Sequence, residues 1–216
     1  MTHTLAQALQ YANGARDLLL EQLADTKFPS TPRNDLVLAY VAIAIEHHEA
    51  IVKLVGLHLF APAFALLRLE LETMFRGLWA NLIADDSQIA AVAQEGAEPF
   101  PRFKAFAKIL DESYGADGWI AGFGDRWTTL NGFTHSGLEQ LGRRFHDDGN
   151  VGSNYPEPMI AELLTMSGTL LLGMLMPIYR RMGFHDKATV LDQWLDENTQ
   201  SSPVVSTRAM EEAGEC

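Results

Sequence analysis

Apolar residues recur at spacings of three and four along almost the whole chain, and this periodicity restricts the fold more than any other feature. Residues that repeat with this period lie on one face of an α-helix. A representative arc lies between residues 62 and 84 and contains Phe64, Leu67, Leu71, Phe75, Leu78 and Leu82. We find no convincing run of alternating apolar and polar residues, which is the pattern of a strand. The sequence therefore predicts an all-α protein.

Breaks in this periodicity divide the chain into about six to eight helices. The predicted helices lie at about 5–27, 35–59, 62–84, 102–115, 123–136, 159–182 and 186–197, with a short one between 85 and 103. Neither an internal repeat nor a clear domain boundary is visible, and the length favours one domain. We expect a single-domain helical bundle over residues 1–197 and a polar, mobile tail over residues 198–216.

The chain is acidic, and its charge restricts the partners that it can bind. Its 216 residues contain 16 lysines and arginines against 28 aspartates and glutamates, which gives a net charge of −12. Binding to a nucleic-acid backbone needs clustered lysines and arginines. We therefore expect a soluble protein for which RNA is a disfavoured partner. The net charge does not exclude a local basic patch.

Three features bear on where the protein works. Cys216 is the only cysteine, so no disulfide can form within the chain, which fits a reducing cytoplasm. The N-terminal segment lacks a basic start followed by an apolar run, so we expect no secretion signal. The most apolar stretch, 163–179, is just shorter than the usual membrane span and carries Ser167 and Gly168. We expect it to be a buried core helix, with no membrane association.

The predicted helix at 35–59 carries three histidines, which raise the question of a metal site. On a helical wheel, His47 and His58 fall in the middle of an apolar face, and His48 borders that face. His47 and His58 lie roughly 16 Å apart along the helix axis, so they cannot bind one ion together. No inward-facing ligand pair of the di-metal bundle type is present. We favour hydrogen-bonded core histidines and predict no metal site, and His48 as a single metal ligand is the alternative.

The predicted helix at 62–84 places a charged pair beside its apolar arc. Arg68 points into the arc, and Glu72 lies one turn further on. A guanidinium among apolar side chains needs a carboxylate or carbonyl partner, because an unpaired buried charge is costly. Glu72, at position i+4, is the expected partner. The pair is interpreted either as a structural ion pair between helices or as an active-site or dimer-interface arginine that Glu72 holds in place.

The segment 127-WTTLNGFTHSG-137 carries a polar pair on a helix that Gly137 is expected to end. Asn131 and His135 lie on one flank of this helix, four residues apart. Its buried stripe is predicted to contain Phe123, Trp127, Leu130 and Thr134. The polar pair is interpreted either as part of a packing contact or as part of a small anion site.

Two arginines, Arg143 and Arg144, supply the densest positive charge close to His135 in the sequence. Arg68, from another helix, is a further candidate partner for this histidine. We therefore predict a shallow polar site formed by Arg68, Glu72, Asn131, His135, Arg143 and Arg144.

Three stretches, 66-LLRLELETMFRGLWA-80, 130-LNGFTHSG-137 and 141-LGRRF-145, resemble a group of uncharacterised bacterial all-helical proteins related to HEPN domains. HEPN domains occur widely in abortive-infection and toxin–antitoxin systems. The resemblance covers roughly residues 34–146. It implies an all-helical bundle that is often a homodimer and that works in bacterial defence or stress response.

Active HEPN ribonucleases share a short motif, in which an arginine is followed by a polar residue such as asparagine and then by a histidine. Two copies of the motif meet across a dimer and act on the RNA backbone without a metal. Here Asn131 matches the polar position and His135 matches the histidine, but Leu130 stands where the motif has its arginine. Chemistry at a phosphate needs a cation to stabilise the developing charge. Either another arginine supplies that cation, or the chain is an inert relative, and the acidic net charge favours the inert relative.

The residues leave three functions open, of which we favour a HEPN-like binding module that interacts with a protein partner. The runner-up is a metal-independent ribonuclease or nucleotide-handling enzyme. In that enzyme His135 is the general acid or base, Asn131 orients it, and Arg68 or Arg144 holds a phosphate.

The third function is a metal-binding helical-bundle enzyme. Its ligands would be His47 or His48 together with Glu72 and His135. The chain has neither a Gly-rich phosphate loop after a strand nor a nucleophilic serine elbow, so we predict no cofactor.

Overall fold

A computed structural model describes residues 4–94, 97, 99–101, 105–109, 127 and 129–199. Its bounded helices are α1 (Leu5–Ala24), α2 (Pro32–Gly56), α3 (Phe60–Leu82), α4 (Asp86–Val92), α5 (Leu138–Gly142), α6 (Glu157–Arg181) and α7 (His185–Thr199). Residues 105–109 and 129–134 are also helical. Within these ranges the only β-structure is an isolated antiparallel bridge between Phe145 and Val151. The prediction of an all-α protein is confirmed.

Side-chain caps fix where several helices begin. Thr4 accepts a hydrogen bond from the Gln7 backbone N–H, and the Gln7 side chain binds the Thr4 backbone in return, which is a capping box. Thr31 caps α2 in front of Pro32, a residue that suits the first helical turn. The predicted ends of α1, α2, α3, α6 and α7 agree with the observed ends to within three residues.

The centre of the fold is α6, which packs against α1, α2, α3 and α7. Sixteen of its 25 residues are buried. By length and composition alone this helix could span a membrane, but 72% of its most apolar window is buried inside the fold. A core helix of a soluble protein passes the same test, so this is weak evidence for a membrane. Its burial agrees with the expectation of a core helix.

A glycine allows α6 to approach α1 closely. A Cβ atom built on Gly168 would lie 3.0 Å from Tyr11 Cε1 and 3.2 Å from Ala15 Cβ. Both distances are shorter than ordinary van der Waals contacts. The two helices therefore meet at this point with no room for a side chain.

The buried face of α2 is not the face that the helical wheel indicated. It carries Asn34, Val37, Val41, Ala44, His48, Ile51 and Val55. His48 lies within this face, whereas His47 is half-buried and His58 is exposed beyond the end of the helix. The prediction that His47 and His58 lie at its centre is wrong. The apolar residues of α2 lie on several of its faces, so a helical wheel alone could not identify the face that packs against α3 and α6.

The helical segment 129–134 ends two residues before the predicted end at residue 136, and Ser136 takes the left-handed conformation with φ 53°. Gly137 is extended and precedes α5, and its N–H donates to Gly132 O at 2.6 Å. This bond has the pattern of a Schellman motif. A Cβ on Gly137 would lie 3.0 Å from Gly132 Cα, so the close approach explains the glycine there.

The stripe predicted in this segment is partly correct. Leu130 is buried, but the other buried residue of the segment is Phe133, whereas Thr134 is only half-buried. Trp127 is half-buried. Residues 198 and 199 of the predicted tail belong to α7. Phe123 and the rest of the predicted tail, from residue 200 onwards, lie outside the described residues.

Candidate functional site

Three charged residues of α3, spaced four apart, form a continuous row of hydrogen bonds along one side of the helix. Glu72 lies in the middle, and its Oε2 accepts a hydrogen bond from Arg68 Nη1. Its Oε1 accepts bonds from Arg76 Nη2 at 2.6 Å and from Arg76 Nε at 3.1 Å. The expected pairing of Arg68 with Glu72 is therefore present, and Arg76 extends it. We call Arg68, Glu72 and Arg76 the α3 row.

The α3 row carries a surplus of positive charge. Burial raises the pKa of Glu72, but the hydrogen bonds and charges of Arg68 and Arg76 together outweigh burial and hold that pKa below its usual value. Glu72 is therefore ionised near neutral pH and balances only one of the two guanidinium groups. In a chain with a net charge of −12, this row is a local exception.

Contacts from two other parts of the chain hold the arginines in place. Arg68 Nε donates a hydrogen bond of 2.9 Å to Asn131 Oδ1. Arg68 Cζ lies 3.6 Å from the centroid of the Trp127 ring, and Arg76 Cζ lies 4.4 Å from the centroid of the Phe100 ring. Such cation–π contacts stabilise a guanidinium over an aromatic face. The side chain of Arg68 is 15% exposed, whereas that of Arg76 is 41% exposed.

An open pocket of about 120 Å³ adjoins the row. It is lined by Glu72, Phe75, Arg76, Trp79, Phe100, Pro101, Phe106 and Trp127. Five of these side chains are aromatic, and the two charged ones belong to the α3 row. Apolar walls with a few converging polar groups are typical of small-molecule sites. The sequence suggested Arg68 and Glu72 but not this pocket, because its walls come from separate segments.

His135 does not join the α3 row through any bond in the described part of the chain. Its backbone N–H donates to Asn131 O at 3.0 Å, and its side chain is exposed. No hydrogen bond or ion pair between described residues links its ring to an arginine. The structure therefore brings together Arg68, Glu72 and Asn131, and leaves His135 at the exposed end of the segment.

Arg143 and Arg144 come directly after α5, in the turn that leads to Phe145. Their backbone carbonyls accept bonds from Asn154 N at 2.9 Å and Gly152 N at 2.8 Å. Burial, the largest effect, raises the pKa of Tyr155, and the charges of both arginines oppose that rise. Between described residues, no hydrogen bond or ion pair joins either arginine to Arg68, Glu72 or Asn131. Of the six predicted site residues, Arg68, Glu72 and Asn131 are therefore the ones that side-chain hydrogen bonds between described residues join.

A second polar cluster, which the sequence alone did not reveal, lies in the core where α1, α2, α3 and α6 meet. His48 Nδ1 lies 2.7 Å from Ser167 Oγ, which in turn lies 2.6 Å from Glu70 Oε2. His48 Nε2 lies 3.0 Å from the carbonyl oxygen of Ala12. All three side chains are fully buried. We call His48, Ser167 and Glu70 the buried chain.

The partners of the buried chain indicate where its protons lie. The Ala12 carbonyl can only accept, so His48 Nε2 carries a proton. Glu70 Oε1 is buried and has no hydrogen-bond partner among the described residues, which disfavours an ionised carboxylate. We infer that all three side chains of the buried chain are neutral. Glu70 then donates a hydrogen bond to Ser167, and Ser167 donates one to His48 Nδ1.

The pKa shifts of Glu70 and His48 both favour the neutral form of each side chain, in agreement with this inference. Burial is the main cause in both cases. It raises the pKa of Glu70 well above its usual range and lowers the pKa of His48 to about 4. His48 Nδ1 and Glu70 Oε1 are 3.9 Å apart, too far for a direct hydrogen bond. The contact between them is therefore not a charged pair, and Ser167 connects the two residues.

The metal-site alternative finds no support in the geometry. In the described ranges, no group of three or more His, Cys, Asp or Glu side chains could hold a metal ion. That alternative needed His135 and Glu72 beside His47 or His48. His48 instead bonds to Ser167 and Ala12, and both oxygens of Glu72 bond to arginines.

The fold and the site define an all-α protein with a fixed arginine–carboxylate row beside an aromatic pocket. The family DUF6988, described as a family of unknown function, matches residues 41–183, which is more than half of the chain. The chain belongs to this family. The matched range contains the α3 row and the buried chain, whereas α1 and α7 lie outside it. Comparisons with curated proteins and with solved structures gave no match.

Proposed function

We propose that this protein is a HEPN-like helical binding module whose α3 row captures an anionic group of its partner. One observation carries the proposal: two guanidinium groups hold a single carboxylate and keep a surplus positive charge beside an open pocket. A guanidinium has five N–H donors, and Glu72 engages only the Nε and one Nη of Arg76. Arg76 is partly exposed, so those of its donors that engage neither Glu72 nor the Tyr40 hydroxyl can bind an anion.

Binding without strong catalysis is the form of the proposal that the geometry supports best. A catalytic site needs donors and a proton-transferring group aimed at one reacting centre. His135 is exposed and makes no bond to an arginine among the described residues. Leu130 also stands where the ribonuclease motif has its arginine.

The wider proposal is a single-domain bundle over residues 1–197 that forms a homodimer in the bacterial cytoplasm and works in defence or stress response. Packing of α6 against α1 and α7, near opposite ends of the chain, supports one domain. The dimer and the role in defence rest on the resemblance to HEPN-related proteins. Light scattering on the purified protein tests the dimer, for which we expect about twice the 23.9 kDa of one chain. A mass of one chain at all concentrations would contradict it.

A metal-independent ribonuclease is the second candidate, and one contact favours it. Arg68 bonds to Asn131, so α3 supplies a guanidinium next to the polar residue of the motif. In this enzyme Arg68 takes the role of the motif arginine, whose position Leu130 occupies. His135 follows Asn131 by one helical turn.

An RNA-cleavage assay in the presence of a chelator separates the two candidates. Labelled single-stranded RNA is incubated with the wild-type protein and with His135→Ala as the matched control. We expect no cleavage by the wild type above that of the variant. Cleavage that resists the chelator and disappears in His135→Ala would replace the binding module with the ribonuclease.

A further inference from the structure

We propose that the ligand of the α3 row is a small aromatic carboxylate, with its ring in the adjoining pocket and its carboxylate on Arg76. This inference rests on the proposed function, because it names the anionic group that the row would capture. It follows from three properties of the site, which are the size of the pocket, the chemistry of its walls and the charge at its edge.

The size of the pocket limits the ligand to about one ring. The pocket measures about 120 Å³. An engineered protein cavity of about 150 Å³ is large enough for benzene. This pocket is slightly smaller but opens to solvent, so a single six-membered ring can enter with one edge outside. A fused ring system exceeds the enclosed space.

The walls of the pocket favour an aromatic group over an aliphatic one. Trp79 and Phe100 lie with ring centroids 4.8 Å apart, and Phe75 and Phe106 with centroids 5.5 Å apart, in tilted or edge-on arrangements. Aromatic rings prefer such offset and edge-on neighbours. A further ring in this space would meet aromatic faces and edges on several sides, which a short aliphatic chain could not use.

The charge at the edge of the pocket selects an anion. Both oxygens of Glu72 are already engaged by arginines, so this carboxylate has little capacity left to attract a cation. Glu72 occupies the edge of Arg76 formed by Nε and Nη2, and the edge between Nη1 and Nη2 suits the parallel hydrogen bonds of a ligand carboxylate. The Tyr40 hydroxyl is hydrogen-bonded to Arg76, and burial, the main cause, raises the pKa of this tyrosine above its ordinary value. A ligand with a positive group would face the surplus positive charge of the row.

An aromatic carboxylate can reach this site from two sources, as a free small molecule or as the C-terminal aromatic residue of another polypeptide. Isothermal titration calorimetry with five probes distinguishes them. Phenylacetate combines ring and anion, acetate lacks the ring, and phenethylamine reverses the charge. A short N-acetylated peptide ending in phenylalanine, with its C-terminally amidated form as control, represents a polypeptide terminus.

We expect phenylacetate to bind at least about tenfold more tightly than acetate or phenethylamine, a ratio that corresponds to one well-placed charged or apolar contact. Binding of the peptide acid but not of its amide identifies a polypeptide terminus as the source. Binding of phenylacetate alone identifies a free small molecule.

Substitutions of Arg76 locate the binding. Arg76→Gln should weaken phenylacetate binding about tenfold or more, and Arg76→Lys, which keeps the charge, should weaken it less. Arg180→Gln is the matched control, because Arg180 is similarly exposed and pairs with Asp192 on another part of the surface. Thermal unfolding checks that each variant is folded.

Three results would overturn the inference, and they differ in which of the two proposals they leave standing. Equal binding of acetate and phenylacetate, both weakened by Arg76→Gln, would remove the aromatic ligand but keep the anion-binding module. Binding of neither anion, with all peptides equally inactive, would remove both proposals. Tighter binding of phenethylamine would show that Glu72, rather than the arginines, governs the site.

Discussion

Arg68 Nε donates a hydrogen bond of 2.9 Å to Asn131 Oδ1, although the two residues are 63 positions apart in the chain. The bond fixes the helical segment 129–134 against α3. The same guanidinium bonds to Glu72 and lies against the Trp127 ring. The polar flank of one segment and the charged row of another are therefore parts of one structure.

Replacing Asn131 should reveal the contribution of this bond to stability. Asn131→Leu removes the acceptor and leaves a partly buried Arg68 donor without a partner, which should lower the free energy of unfolding by about 1–2 kcal/mol. Urea denaturation measures the change. Asn150→Ala is the control, because Asn150 is exposed and its side chain donates to Asp148, two residues earlier in the same turn. Equal effects of the two substitutions would show that the bond to Arg68 contributes nothing.

His135→Ala should leave the fold intact. The side chain is exposed and makes no hydrogen bond with any described residue, so the free energy of unfolding should change by no more than about 0.5 kcal/mol. Denaturant unfolding measures this value, and circular dichroism should show unchanged helix content. A loss of several kcal/mol would mean that the histidine is a packing residue and would contradict its exposed position.

The buried chain should give stability a defined dependence on pH. Glu70 has a pKa raised above its ordinary 4.5, so its contribution is complete below that value and is lost as pH rises towards the raised one. His48 has a pKa lowered from 6.5 to about 4, so its contribution is complete above 6.5 and is lost as pH falls to about 4. Between 4.5 and 6.5 the folded and unfolded states bind equal numbers of protons at these two residues. Their joint contribution should be level there and should decrease on either side.

Comparison with Glu70→Gln isolates this effect from the other ionisable groups. Glutamine stays neutral at every pH and can still donate a hydrogen bond to Ser167. Above pH 4.5 the wild type should lose stability relative to the variant, by up to about 1.4 kcal/mol per pH unit, because His48 titrates in both proteins and only Glu70 differs. Urea denaturation at pH 5, 6, 7, 8 and 9 measures the difference. A constant difference across this range would mean that Glu70 is ionised in the folded protein.

Gly168→Ala should destabilise the contact between α1 and α6. The new methyl would press on Tyr11 and Ala15, and overpacking of this kind costs about 1–3 kcal/mol. Gly56→Ala is the control, since a Cβ there meets nothing within 4 Å and should stabilise α2 by up to about 1 kcal/mol. Thermal unfolding of both variants gives the comparison. Equal shifts in Tm would show that α1 moves away at little cost.

The sequence predicted what local spacing determines. Periodicity located the helices because a repeat of three and four residues is a property of one segment. The pair of Arg68 and Glu72 was predicted for the same reason, since positions i and i+4 meet on any α-helix. Ser136 escaped prediction because a left-handed residue at a helix end is more often glycine, and Gly137 stood next to it.

Contacts between segments could not be predicted in this way. His48, Glu70 and Ser167 come from three helices, and no local spacing in the sequence links them. A signal was present, because Glu70 lies between leucines and Ser167 lies within the most apolar helix, and such residues need buried partners. The sequence did not indicate which residues those partners were. The aromatic pocket was missed likewise, since Phe100, Phe106 and Trp127 meet α3 only through tertiary packing.

Nuclear magnetic resonance of the arginine Nε–H groups tests most directly whether the α3 row is the binding site. Phenylacetate is titrated into 15N-labelled protein, and assignments come from Arg76→Lys, Arg68→Lys and Arg180→Lys. We expect the Nε–H resonances of Arg76 and Arg68 to move with one common binding curve, while that of Arg180 stays in place. Movement confined to resonances other than those of Arg76 and Arg68, or no movement at any arginine, would contradict the assignment of the α3 row as the site.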